Sequence, residues 1–293
     1  MVSILQNLQT FYRPAWMKWS KKMGNILVLG ASGFVGSAVK KRLEQSHTVY
    51  GTYYTRNEAL PEAGRMEYLD IGDNSAPGLF LQKIKPDWVI ASLRGEFSGQ
   101  MAFHKRLARE MQKLPESRLC YLSTANVFDK EGDRPHYEED VPKAESGYGQ
   151  FKADCESMLF QELEERCTIL RLPMVWGRDC PRVRSLYTDM ADGGKIRTWT
   201  NLYVNIATDV QIAEFVSFIV DTGAKGIFHA GTVDWIAYHE LIRRIGERIG
   251  LRNPRLTMET EEKAEYMVLL SHRENVLDAL KPTVAQVIDS ITR

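Results

Sequence analysis

A tyrosine and a lysine four positions apart, Tyr148 and Lys152 in "SGYGQFKADCE", are the first residues here that could do chemistry together. On a helix, positions i and i+4 share a face, with Cβ atoms about 5–6 Å apart. Both groups can then serve one small site. A free phenol with a pKa near 10 exchanges protons poorly at neutral pH, and a fixed ammonium beside it favours the phenolate. The same spacing also occurs in purely structural helices, so the elements around the pair must decide between the two.

Glycines supply the second constellation. "LVLGASGFVGSAV" places Gly30, Gly33 and Gly36 in the pattern G-x-x-G-x-x-G, between an apolar run with strand character and a helical pattern. In that context Gly30 permits a tight turn, Gly33 lets the backbone approach a pyrophosphate, and Gly36 lets the helix lie close on the strand. Free N–H groups at the helix start, around Ser32, Phe34 and Val35, face an anion. Dinucleotide sites that favour NAD carry an acid about 20 residues further on. The stretch "VYGTYYTRN" has none and offers Arg56, which suits a 2′-phosphate. NADP is therefore expected over NAD. Asp70 and Ile71, ending the third strand, are expected at the adenine, and Ala91, Ser92 and Leu93, ending the fourth, along the cofactor.

The elements that must hold these residues alternate. Strands are expected at "NILVLG" (25–30), "TVYGTYY" (48–54), "MEYLD" (66–70), "DWVIAS" (87–92), "LCYLST" (119–124) and "CTILRLP" (167–173), with helical patterns between them. Such alternation predicts a parallel sheet covered on both faces. The fold class expected is α/β, a Rossmann-type doubly wound parallel sheet with a smaller C-terminal substrate lobe. The division is an extension over 1–22, a dinucleotide-binding domain over 23–177 and a lobe over 178–293, partly interleaved with the sheet. Beyond Gly177 the rhythm loosens. A strand "LYVNIA", a helix "TDVQIAEFVSFIVD" capped by Thr208 or Asp209, a strand "GIFHAG", a helix ending at Gly250 and a last helix around 282–291 are expected.

Composition narrows the classes. The 293 residues carry 38 Lys+Arg against 38 Asp+Glu, so no net field draws the chain to nucleic acid or to an acidic membrane. The four cysteines (Cys120, Cys155, Cys167, Cys180) form no C-x-x-C pair, which fits buried free thiols in a reducing cytoplasm. The six histidines are dispersed and no metal site is expected. No apolar run reaches membrane-spanning length. The first 22 residues are basic, with Arg13, Lys18, Lys21 and Lys22 and no acid. They read as an extension packed on the body, as sequence upstream of a start at Met23, or as an amphipathic arm.

Taken in order, Gly30/Gly33/Gly36, "YLSTANVF" (121–128), Tyr148/Lys152 and "RLPMVWG" (171–177) resemble the extended short-chain dehydrogenase/reductase family. The likeness runs from about residue 24 to 177, and more loosely to 290. The branch it looks most like contains dTDP-4-dehydrorhamnose reductase and the related regulatory subunit of methionine adenosyltransferase. The resemblance implies that Thr124 joins Tyr148 and Lys152 as a catalytic triad. It also implies that Lys152 holds the nicotinamide ribose. The activity implied is NADP-dependent reduction of a carbonyl on a nucleotide-activated deoxysugar or similar polar metabolite. An epimerase with a tightly held cofactor and a non-catalytic NADP-binding subunit are the rivals; a homodimer is allowed.

Several positions depart from the family pattern. Ala125 and Asn126 stand where the deoxysugar reductases carry an acid and an aromatic, and the Asp–Glu pair that 4,6-dehydratases need there is absent, which argues against dehydratase chemistry. The fourth strand ends "VIASLRGEF", and the loop after it looks about ten residues short. There Arg94 either meets an anionic substrate group or pairs with Glu96. Asn126, Trp176 and Trp199 are further expected substrate contacts, with Arg178, Asn201 and Tyr203 behind them. His229 reads as a structural histidine, and "ETEEKAEY" (259–266) as a solvated face.

Overall fold

The computed structural model describes residues 23–55, 65–178, 180–191, 194–250 and 255–291, so expectations for 1–22 and Arg56 lie outside the described residues. In chain order the elements are β1 (Asn25–Leu29), α1 (Phe34–Leu43), β2 (Thr48–Tyr53), β3 (Met66–Tyr68), α2 (Ala76–Ile84), β4 (Trp88–Ala91), α3 (Phe97–Met111) and β5 (Arg118–Thr124). They continue with α4 (Gly147–Leu163), β6 (Cys167–Leu172), β7 (Met174–Trp176), α5 (Pro181–Ala191), β8 (Ile196–Trp199), β9 (Leu202–Val204) and β10 (Ile206–Thr208). Then come α6 (Asp209–Thr222), β11 (Gly226–His229), β12 (Ile236–Ala237), α7 (Tyr238–Arg248), β13 (Leu256–Glu259), β14 (Glu265–Met267) and α8 (Val284–Ile291).

Seven strands form one parallel sheet in the order β11-β6-β5-β4-β1-β2-β3. The chain winds outward from β1 in both directions, as in a doubly wound Rossmann sheet, and the strand order reverses beside β1. β1 explains why its sequence shows no alternation: Ile26 and Val28 enter the core against α1 and α6, while Leu27 and Leu29 enter the core against α2, α3 and α4. A strand covered on both faces reads as a continuous apolar run.

The last third serves two bodies at once. α6 packs on α1, and β11 pairs with β6 at the sheet edge. β7, α5, β8, β9, α7 and α8 build a separate apolar core around Trp176, Val183, Ile196, Leu241, Ile245 and Val287. Thr208 caps α6 by accepting from Gln211 N at 3.0 Å, and Gly223 ends it in the left-handed region. The single strand expected over "LYVNIA" is instead two, divided at Asn205. That fully buried amide donates to the Thr232 and Leu269 carbonyls and accepts from Leu269 N. β9 therefore joins β12 and β14, while β10 pairs with β7. Among the described residues no helix is long and apolar enough to cross a membrane.

Candidate functional site

The carboxyl ends of β1, β4 and β5 open onto a cleft, which falls into two connected parts. The first, about 350 Å³, is bordered by Gly30, Ser32, Gly33, Tyr53, Tyr54, Asp70, Ile71 and Ser92. Its shape comes from backbone. Gly30 has φ +79°, and a Cβ there would stand 2.5 Å from the Ser92 carbonyl oxygen. A Cβ on Gly36 would stand 2.2 Å from the Gly30 oxygen, so α1 can approach the turn only because that atom is missing. At Gly33 an added Cβ would touch only the Gly30 oxygen, at 3.3 Å. α1 begins at Phe34 with no side-chain cap, which leaves its first amide groups facing the cleft. The chemistry of this turn fits a dinucleotide pyrophosphate. Asp70 accepts from Gly72 N, and Glu96 caps α3 by accepting from Ser98 N and Gly99 N. Both acids are thus engaged by backbone. Glu96 spends its oxygens there rather than on Arg94, and five residues, 92–96, are all that join β4 to α3.

The second part, about 740 Å³, is built from side chains. β5 brings Ser123 and Thr124, α4 brings Tyr148 and Lys152, and the turn after β5 brings Asn126 and Asp129. α4 is set down firmly. Ser146 accepts from Gly149 N at 3.0 Å, Asp129 accepts from Glu145 N, Ser146 N and the Ser146 hydroxyl, and a Cβ on Gly149 would stand 2.2 Å from the Asn126 oxygen. Under α4, Glu156 and Arg171 of β6 form an ion pair at 2.8 Å with both side chains buried.

Tyr148 is 39% exposed at the cleft, whereas Lys152 is 6% exposed. Lys152 Nζ donates to the Leu122 carbonyl at 2.9 Å and lies 4.5 Å from the Tyr121 ring centroid. Burial pulls its pKa down to about 8, with Cys155 and Glu156 opposing. The expected depression of the Tyr148 phenol by Lys152 is not what the structure has. Burial raises Tyr148, and the opposing pulls come from the Thr124 hydroxyl and the Arg94 guanidinium. Thr124 also donates to Asn126 Oδ1 at 3.0 Å. One hydroxyl proton cannot serve Asn126 and Tyr148 at once, so Asn126 competes with Tyr148 for it.

Most of the expected site residues meet here. Phe34, Val35, Ser92, Leu93, Arg94, Thr124, Asn126, Tyr148 and Lys152 border the second part, and Gly33, Ser92, Leu93 and Arg94 border both. Gly36 lies behind the turn. Ala91, 1% exposed, belongs to the apolar core beneath the floor. Two expected substrate contacts are displaced. Trp176 is 1% exposed inside the lobe core, because β7 pairs with β10 and turns the indole inward. Trp199 donates to Glu261 and packs near Tyr238, away from the cleft. Asn201 ties the 261–263 turn, and Tyr203 stacks on Tyr266 at 4.8 Å. His229 is buried with Nδ1 on the Leu270 carbonyl, and its pKa is pushed down to about 3 by burial and then by Arg171.

Sequence reasoning missed Cys180, Pro181 and Arg182, which open α5 onto the cleft, and Leu202, Val204, Glu265 and Met267 from the lobe sheet. Pro181 was the available signal, since proline favours the first turn of a helix. Glu265 belongs to the stretch read as a solvated face. It borders the cleft instead, and burial followed by Asp129 raises its pKa.

A family model described as the RmlD substrate binding domain matches residues 97–275, more than half of the chain. The chain belongs to the RmlD family. The RmlD match begins at α3 and takes in Thr124, Tyr148, Lys152, Arg182 and Glu265, while the glycine turn precedes it. Among curated relatives, methionine adenosyltransferase 2 subunit beta of Mus musculus is 26% identical over 255 residues, covering 79% of this chain and 74% of that one. A dTDP-4-keto-6-deoxy-D-glucose reductase of Streptomyces niveus is 27% identical over 143 residues, 45% of this chain and 46% of that one. Solved structures share the fold. The Bordetella bronchiseptica enzyme WbmH in complex with NAD+ superposes with TM-score 0.78 at 17% identity, covering 92% of this chain and 97% of that one. The dTDP-4-dehydrorhamnose reductase of Bacillus anthracis in complex with NADP gives TM-score 0.76 at 18% identity, covering 92% and 99%.

Proposed function

We propose that this RmlD-family chain is an NADP-dependent oxidoreductase that reduces a carbonyl on a nucleotide-activated deoxysugar or a similar polar metabolite. The observation that carries the reading is the convergence of Thr124, Tyr148 and Lys152 on one cleft whose other end is a turn that requires glycine at positions 30 and 36. When bound, the reduced nicotinamide supplies hydride to the carbonyl carbon. Tyr148 gives its phenolic proton to the carbonyl oxygen, and a phenol kept protonated by burial is suited to the role of acid. Thr124 orients that oxygen by donating to it once its proton leaves Asn126. Lys152 and the 92–93 backbone would hold the cofactor's nicotinamide end, and the first amides of α1 its pyrophosphate. Arg94 and Arg182, which both border the second part, would meet the anionic nucleotide part of a substrate. NADP is favoured over NAD because no acid ends β2 to take the ribose hydroxyls.

Calorimetric titration with NADPH and NADH, followed by a screen of nucleotide 4-ketosugars, tests this reading. NADPH is expected to bind more tightly. Tyr148→Phe should lower turnover by about 10²–10⁴-fold while leaving NADPH affinity within about threefold. Equal binding of both cofactors would end the NADP assignment. A second reading, a partner subunit for another protein, is favoured by the likeness to methionine adenosyltransferase 2 subunit beta over 79% of the chain. A Tyr148→Phe chain that keeps its full effect on such a partner would support it.

A further inference from the structure

Lys152 is held in an unusual way for a buried amine. Its Nζ has three protons to place. The Leu122 carbonyl takes one at 2.9 Å, and the face of Tyr121 lies 4.5 Å away. The Phe151 ring, at 5.7 Å, is more distant. Tyr121 is 1% exposed and sits on β5, one residue before the carbonyl that accepts from Lys152. His104 of α3 meets the Tyr121 ring edge to face, with centroids 5.2 Å apart and planes at 86°. Three elements thus meet at one ring: α3 through His104, β5 through Tyr121 itself, and α4 through Lys152.

An aromatic face attracts a cation through its quadrupole, and the attraction grows when water is excluded. We infer that Tyr121 is a positioning residue for Lys152, its ring acting as the shelf that keeps the amine charged and aimed at the cleft. This rests on the dinucleotide-reductase reading for its purpose, although the contact itself does not. Other groups around Lys152 do not replace the ring. On α4, Tyr148 stands toward the cleft, while Cys155 and Glu156 favour the charge but neither is a hydrogen-bond partner of Nζ, and Glu156 is paired with Arg171 of β6. From α3, His104 is buried, and its proximity to Lys152 together with burial keeps the imidazole neutral. Arg94, on the loop after β4, borders the same cleft and is also cationic. Among the described residues outside α4, the Tyr121 ring and the Leu122 carbonyl are the neighbours that favour charge on Nζ.

The hydroxyl of Tyr121 plays no part in this role, which separates it from a hydrogen-bonding or proton-passing function. The test is an NMR titration of the Lys152 ε-methylene signal in lysine-labelled full-length protein, assigned with Lys152→Arg. In Tyr121→Phe the Lys152 midpoint should match that of the unaltered chain. In Tyr121→Leu it should fall by about 0.5–1.5 pH units, the size of a desolvated cation–π contact. Tyr121→Met fills more of the ring's volume and reads the same shift should the leucine variant not fold. NADPH affinity should drop in the leucine and methionine variants and persist in the phenylalanine one. A Lys152 midpoint unmoved in both ring-less variants overturns the inference, and so does a shift in Tyr121→Phe equal to theirs. Failure of the unaltered chain to bind NADPH would strike the reductase reading instead, while the Lys152 titration would still decide the role of the ring.

Discussion

The two parts of the cleft are made of different materials. The glycine-turn part owes its shape to missing side chains: Gly30 at φ +79°, Gly36 pressed on the Gly30 carbonyl, and α1 starting without a cap. The other part owes its shape to side chains present, delivered by β5, α4, α5 and the lobe strands from positions 123 to 267. A backbone-built surface tolerates changes around it provided no atom is added. A side-chain-built surface depends on the supports that hold each element, and those lie outside the cleft. The lesson is that the two parts should fail differently, one by filling and the other by loosening.

The largest effect is expected from loosening. Arg171 and Glu156 are 1% and 3% exposed, and their ion pair joins β6 to the helix that carries Tyr148 and Lys152. Arg171→Met leaves a buried carboxylate without its partner, which costs about 3–5 kcal/mol. Urea denaturation should show that loss, and pairing Arg171→Met with Glu156→Leu should recover part of it. Binding of 2′,5′-ADP, which the proposed function assigns to the glycine-turn part, should change less than about twofold in whatever fraction stays folded. A loss below about 1 kcal/mol would show that α4 is held by packing alone and would erase the contrast.

Filling should act in the opposite sense. At Gly36 an added Cβ meets backbone atoms at 2.2 and 2.9 Å, which cannot move aside as a side chain would. Gly36→Ala is expected to cost about 1–3 kcal/mol through overpacking and to weaken 2′,5′-ADP as well. Gly33→Ala meets one atom at 3.3 Å and should cost little stability. Gly33 borders both parts of the cleft, so a methyl there should lower 2′,5′-ADP binding while the denaturation midpoint stays. Equal loss of stability in both variants would mean that the turn, rather than the missing atoms, sets the shape.

The same difference in material explains what the sequence disclosed. Glycines between a strand and a helix are adjacent in the chain, so a seven-residue spacing reveals a backbone-built surface directly. The parallel sheet was legible for a similar reason: strands covered on both faces, such as 26–29, are continuous apolar runs. Tyr148 and Lys152 stood out by lying one helical turn apart, but a structural helix shows the same spacing, and only the resemblance in motif order joined Thr124, at the end of β5, to them. The far wall was not. Arg182 and Glu265 are 83 positions apart, and nothing local in either says that α5 and β14 face one cleft. Trp176 and Trp199 misled because a large aromatic suits a pocket and a core equally well, and only the pairing of β7 with β10 turns Trp176 inward. Residue types also concealed the electrostatics. Four-residue spacing suggests that Lys152 acts on Tyr148, yet the amine is turned to the Leu122 carbonyl and the phenol feels Thr124 and Arg94.

The support beneath the second part should also have a signature in acid. His104 lies on α3 under that part, fully buried, with Nδ1 on the Gln100 carbonyl and its pKa pushed down to about 4, first by burial and then by Lys152. A histidine whose folded pKa lies below its unfolded value near 6.5 favours the unfolded chain as pH falls, because the unfolded state then takes up the proton more readily. The contribution of His104 is fully present above pH 6.5 and drains away as pH drops toward 4. His229, at about 3, drains over a longer range in the same direction. Between pH 6.5 and 5.5 each histidine should remove about 1 kcal/mol of stability. His104→Phe, which keeps a ring against Tyr121, should flatten the acid slope by the His104 share while leaving that of His229. Urea midpoints collected across this range would decide it, and an unchanged slope in His104→Phe would show that His104 takes up its proton without unfolding, so that the shelf under Lys152 yields to charge.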